Sequence, residues 1–155
     1  MKRLSILGST GSIGTQALET CEKNGWEITA LAAGRNVKIA EAQARKFKPQ
    51  FVAMFDKDAA AELKIKLADT DIKVYSGEEG VIAAAESDCD TVLNSVVGIA
   101  GLRPTLAAIN KGTTVALANK ETLVTGGEIV NRRLKETGGG QRALRDFSVL
   151  AGRAR

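Results

Sequence analysis

Short apolar runs alternate along the chain with longer stretches whose apolar residues recur at three- and four-residue spacing. The runs are Leu4 to Leu7, Glu27 to Ala32, Phe51 to Met54, Lys73 to Tyr75, Thr91 to Asn94 and Thr114 to Leu117. Between them lie sets such as Val37, Ala40, Ala44 and Phe47, or Ala60, Leu63 and Leu67. The runs have the character of strands and the spaced sets mark one face of a helix, so the alternation predicts successive β-α-β units. Leu4-Ser5-Ile6-Leu7 and Val115-Ala116-Leu117-Ala118 are apolar almost throughout. Strands of that kind are covered on both faces, as in a parallel sheet with helices above and below. The expected fold class is therefore α/β, a Rossmann-type doubly wound, mostly parallel sheet.

The 155 residues amount to about one domain. No apolar stretch has membrane-spanning length, and no charged-then-apolar leader ends in small residues. No membrane partner is expected, and the cytoplasm is the expected compartment. Cys21 and Cys89 lie far apart and the chain has no histidine, which leaves no ordinary zinc site and reads both cysteines as small core or surface residues. The net charge of +4 sits mainly in the last stretch, where Arg142, Arg145, Arg153 and Arg155 face only Asp146. Aromatic residues do not interleave with the basic ones, so no nucleic-acid partner is expected.

Candidate chemistry begins directly behind the first run, with Gly8-Ser9-Thr10-Gly11-Ser12-Ile13-Gly14. Glycines at 8, 11 and 14 differ in their first spacing from the commonest dinucleotide fingerprint but serve the same ends, a tight turn and close helix packing. The amides of Thr10 to Ile13 then face a ligand, and an anion is favoured at the helix N-terminus. The other reading is a plain strand-to-helix turn capped by Ser12. After the second run, where NAD-binding folds place an acid for the ribose hydroxyls, the chain reads Ala33-Gly34-Arg35-Asn36. An arginine there suits a 2′-phosphate and favours NADP over NAD; otherwise Asn36 is a helix N-cap beside a solvated Arg35.

Two later run ends add to the picture. Asn94 to Gly101 leaves the fifth run through small residues, which either let a nicotinamide ring approach the backbone or form a glycine-rich loop before the helix at Pro104. Leu117-Ala118-Asn119-Lys120-Glu121 puts an amide, an ammonium and a carboxylate at the sheet edge where ligands of such folds bind. Its plainer reading is an N-cap by Asn119 with Lys120 and Glu121 in solvent.

Taken in order, GSTGSIG, AAGRNV, VVGIAGLRPTLAAI and LANKETLVTGGE resemble the NADPH-binding domain of the 1-deoxy-D-xylulose 5-phosphate reductoisomerases, from Met1 to about Glu136. The resemblance implies an enzyme that rearranges a phosphorylated ketose and reduces the resulting aldehyde with NADPH, giving 2-C-methyl-D-erythritol 4-phosphate for isoprenoid synthesis. It implies that Thr10, Gly11, Ser12 and Ile13 hold the cofactor pyrophosphate and that Gly34, Arg35 and Asn36 hold the adenosine phosphate. Asn119 and Glu121 would flank the nicotinamide end, and Lys120 would contact substrate. A divalent metal, magnesium or manganese, and association as a homodimer belong to the full-length family. Two other readings are a stand-alone NADP-binding module and a fragment of another Rossmann oxidoreductase of the homoserine dehydrogenase type. The Asn-Lys-Glu cluster disfavours the latter.

Past residue 137 the resemblance stops, so the expected organisation is an NADPH-binding domain over 1–137 and an irregular tail over 138–155. The family continues with Val-Asp-Ser-Glu-His-x-Ala-Ile-Phe-Gln, whose Asp and Glu bind the metal, where this chain has Gly139-Gly140-Gln141-Arg142-Ala143-Leu144-Arg145-Asp146. Codons compatible with Gly139 through Leu150, read one nucleotide later, translate as Val-Asp-Ser-Glu-His-Cys-Ala-Ile-Phe-Gln-Cys. The tail is therefore expected to be out of frame, and the chain as written to bind NADPH without catalysing.

Overall fold

The computed structural model describes residues 2–96 and 98–117, with residues 129, 132, 135, 136 and 144–146 beyond them. Strand β1 (Arg3–Leu7) leads into helix α1 (Ser12–Asn24), then β2 (Glu27–Ala33), α2 (Val37–Phe47), β3 (Phe51–Met54), α3 (Lys57–Lys66) and β4 (Lys73–Ser76). Helix α4 (Gly77–Ala85) crosses back to β5 (Thr91–Asn94). A short 3-10 turn (Gly98–Gly101), α5 (Leu102–Lys111), β6 (Thr114–Leu117) and β7 (Leu144–Asp146) follow. All strand pairs are parallel, in the order β4-β3-β2-β1-β5-β6-β7.

That order reverses direction between β1 and β5, and the reversal places α1, α2 and α3 on one face of the sheet and α4 and α5 on the other. Leu4 and Ile6 pack with Leu18, Ala40, Ala44 and Leu63 on the first face. Leu7, Val92 and Val115 pack with Val81, Ala84, Ala108 and Ile109 on the second. Every residue of β5 is buried, as the continuous apolar runs require of strands sandwiched between helix layers. β2 departs from strict alternation because its pairing with β1 slips by one residue: Leu4 faces Ile28 but Ser5 faces Ala30. The extra residue, Thr29, is buried, and its hydroxyl lies 3.3 Å from both Leu4 O and Ser87 Oγ. Such a bulge keeps Ile28 and Leu31 on the same face.

Helix ends follow local chemistry. Asn36 Oδ1 accepts from Ile39 N at 3.1 Å at the start of α2, and Asp56 Oδ1 accepts from Ala59 N at 2.9 Å at the start of α3. Helix α1 has Gly11 at its N-cap and no side-chain cap, which overturns the expectation of a cap by Ser12: that residue is already the first of the helix and is exposed.

Cys21 is buried in the core, where burial pushes its thiol up to about 12, and Cys89 is half-buried. The tail is not irregular throughout. Residues 144–146 form β7, with Val115 opposite Leu144 and Leu117 opposite Asp146. The physical reason is that the free N–H and C=O groups of a strand edge pair with any extended backbone, whatever side chains it carries.

Candidate functional site

The carboxyl ends of β1, β2, β3 and β5 open into a cleft of about 590 Å³. Gly8, Gly11, Ser12 and Ile13 form one wall; Ala33, Gly34 and Phe55 another; Glu78, Val81, Ser95, Val96, Ala100 and Pro104 complete it. It lies at the point where the strand order reverses, the place where open α/β sheets bind their ligands.

The glycine turn is held by main-chain bonds. Gly8 N and Ser9 N both donate to Ala32 O, at 2.7 and 3.0 Å, and Gly11 N donates to Gly8 O at 3.2 Å. The last bond corrects one expectation: Gly11 N is engaged within the turn. Among the described residues, no acceptor meets the amides of Thr10, Ser12 or Ile13. The turn is tight enough to exclude side chains at two positions. Gly8 has φ of 83°, and a β-carbon there would stand 2.5 Å from Ser95 Oγ. Ser95 Oγ in turn donates to Leu7 O at 2.7 Å, tying the end of β5 to the start of the turn.

The electrostatics of two helix ends at this cleft differ. The first turn of α1 carries no acidic side chain, so the positive end of its dipole is left for a ligand anion. The first turn of α4 carries Glu78 and Glu79, which already offset that helix's dipole. Glu78 pairs with Arg103 at 2.9 Å on the outer rim, between two exposed side chains, and contributes little to stability.

A buried knot fixes the loop after β5. Asn94 Nδ2 donates to Gly101 O and to Thr105 Oγ1, both at 2.8 Å, while its Oδ1 accepts from Val96 N at 3.0 Å. Asn94→Ala would leave the Gly101 carbonyl and the Val96 amide without that partner. The expected cost is about 3 kcal/mol of stability, read from the urea midpoint.

Of the residues singled out by sequence, Gly11, Ser12, Ile13 and Gly34 line the cleft. Thr10 is half-buried beside them, and Arg35 and Asn36 are exposed just past Gly34. Asn36 does cap α2 with its Oδ1. Asn119, Lys120 and Glu121 lie outside the described residues. Three lining residues escaped the sequence reading. Phe55 is the first residue past the third strand, the same topological position as Gly8 and Gly34. Glu78 and Val81 sit on α4, whose Val81, Ala84 and Ala85 have the spacing of a buried helical stripe.

A family profile described as 1-deoxy-D-xylulose 5-phosphate reductoisomerase matches residues 4–127. The chain belongs to that family. A 1-deoxy-D-xylulose 5-phosphate reductoisomerase of Agathobacter rectalis is 52% identical over 140 residues, 89% of this chain and 37% of that protein. One from Desulfitobacterium hafniense is 52% identical over 133 residues, 84% of this chain and 35% of that protein. Among solved structures, the Zymomonas mobilis reductoisomerase in complex with NADPH superposes with a TM-score of 0.87 at 35% identity, covering 94% of this chain and 38% of that one. A reductoisomerase in complex with magnesium gives 0.84 at 38% identity, covering 89% of this chain and 36% of that one. The chain thus spans a little over a third of the length of the reductoisomerases it matches.

Proposed function

We propose that this chain supplies the NADPH-binding part of a 1-deoxy-D-xylulose 5-phosphate reductoisomerase. The observation that carries the reading is the glycine turn at the strand-order reversal: amides of Thr10, Ser12 and Ile13 that meet no acceptor among the described residues, a helix start without acid or cap, and a cleft beside them. These features fit a dinucleotide. Ser12 and Ile13 N–H groups hold its pyrophosphate, the small residues of β2 let the adenosine half approach the backbone, and the Arg35 guanidinium takes the 2′-phosphate. NADPH, when bound, supplies the hydride that reduces the rearranged substrate.

Asn119 and Glu121 flank the nicotinamide end in this reading, and Lys120 reaches the phosphorylated ketose. The surrounding protein is a cytoplasmic enzyme that admits a homodimer. No helix among the described residues is long and apolar enough to cross a membrane. The residues described do not fit the family's divalent metal, since no three His, Cys, Asp or Glu side chains among them gather to hold one.

Calorimetric titration tests the reading. The chain is expected to bind NADPH more tightly than NADH, and Arg35→Glu to weaken NADPH by about tenfold while leaving NADH unchanged, the loss of one charge-assisted phosphate contact. Equal affinities for the two dinucleotides, or a preference untouched by Arg35→Glu, would overturn it.

A further inference from the structure

Gln43 interrupts the apolar stripe of α2. It follows Ala40 by one helical step on the buried side, and only 8% of it is exposed. Its Nε2 donates to Ser9 O at 2.8 Å, joining α2 to the middle of the glycine turn. Its own Oε1 is buried without a partner among the described residues, as is the neighbouring Ser9 Oγ. A half-satisfied buried amide costs stability, and a methionine or leucine would fill the same stripe without that cost. The bond to Ser9 is what the amide adds.

Ser9 O and Thr10 N–H belong to one planar peptide group, in which the two point in opposite directions. Holding the oxygen from α2 therefore aims the Thr10 amide away from that helix. A carbonyl that accepts a hydrogen bond also makes the N–H of its own peptide a stronger donor. Thr10 N–H has no acceptor among the described residues.

We infer that Gln43 is a positioning residue for the dinucleotide: it fixes and polarises the Ser9–Thr10 peptide so that the Thr10 amide meets the pyrophosphate. This rests on the reading of the cleft as an NADPH site. It also ties that turn to the helix capped by Asn36, beside Arg35, so that the two phosphate contacts are held by one element.

The test uses the 155-residue chain and two variants, titrated with NADPH and NADH. Gln43→Met keeps the length of the side chain and removes the donor. It is expected to weaken both dinucleotides by the same factor, about tenfold, because the pyrophosphate is common to them, in a chain that still unfolds as one cooperative unit. Gln43→Glu can donate to Ser9 O when protonated and not when ionised. Its affinity relative to the unsubstituted chain is expected to fall as pH rises from about 5.5 to about 8.5, the range into which burial lifts a carboxyl. Undiminished binding by Gln43→Met, a loss confined to NADPH, or a Gln43→Glu ratio that ignores pH would each overturn the inference. If the unsubstituted chain binds neither dinucleotide, the reading of the cleft fails first and this inference with it.

Discussion

A methyl group at residue 14 is expected to destroy the glycine turn. Its carbon would stand 2.1 Å from Gly8 O and 2.7 Å from Ser9 Cα, backbone atoms that no rotamer change can move aside. Gly14→Ala therefore forces α1 away from the turn and is expected to cost about 3 kcal/mol or more, read as a fall in the urea midpoint. Gly11, three residues earlier, behaves differently. A β-carbon there meets nothing closer than Gly8 O at 3.5 Å, and its extended backbone, with φ of −78° and ψ of 174°, suits any residue. Gly11→Val is expected to fold with a loss of no more than about 1 kcal/mol, yet to lose detectable NADPH binding, because its branches project into the cleft where the pyrophosphate approaches. A folded Gly11→Val that binds NADPH normally would make the turn purely structural.

The second large effect concerns turnover. The 155-residue chain is expected to oxidise no NADPH when given 1-deoxy-D-xylulose 5-phosphate with magnesium or manganese. Metal-assisted chemistry needs its ligands, and the carboxylate pair of the family falls, by resemblance, where this chain has Gly140, Gln141 and Arg142. A guanidinium cannot ligate a hard cation and repels it. We propose that the reading frame slips shortly before Gly139. Removing one nucleotide before the Gly139 codon is expected to regenerate Val-Asp-Ser-Glu-His, and resequencing the gene past the Thr137 codon to reveal an open frame through that stretch. Turnover by the chain as written, or a shifted frame that runs into early stops, would refute this.

The strands were legible because their signal is unusually clean. Runs such as Thr91 to Asn94 are buried along their whole length, so composition alone marks them, and the expected ends of the third, fifth and sixth runs match β3, β5 and β6. The glycine turn was legible as well, since its spacing is dictated by backbone contacts. Less of the cleft was readable. Val81 lines the cleft only because α4 crosses to the opposite face, a long-range event that no local pattern encodes. Ser12 was open to misreading as a cap because serine has the right chemistry; the helix starts one residue earlier than that reading needs. Gln43 left a trace, a polar residue at a stripe position, but its partner lies 34 residues away in the chain, beyond the reach of any local pattern.

The corner at Gly34, Arg35 and Asn36 is exposed, while the turn proposed to receive the pyrophosphate is held to β2 by main-chain bonds. Grip and choice are thereby assigned to different parts of the polypeptide. On the proposed reading, drift at Arg35 retunes which reducing currency the domain draws on without disturbing its foundations, whereas Gly8 and Gly14 beneath leave no room for a side chain. A lineage built on this scaffold can change cofactor by editing its surface and leave its architecture alone.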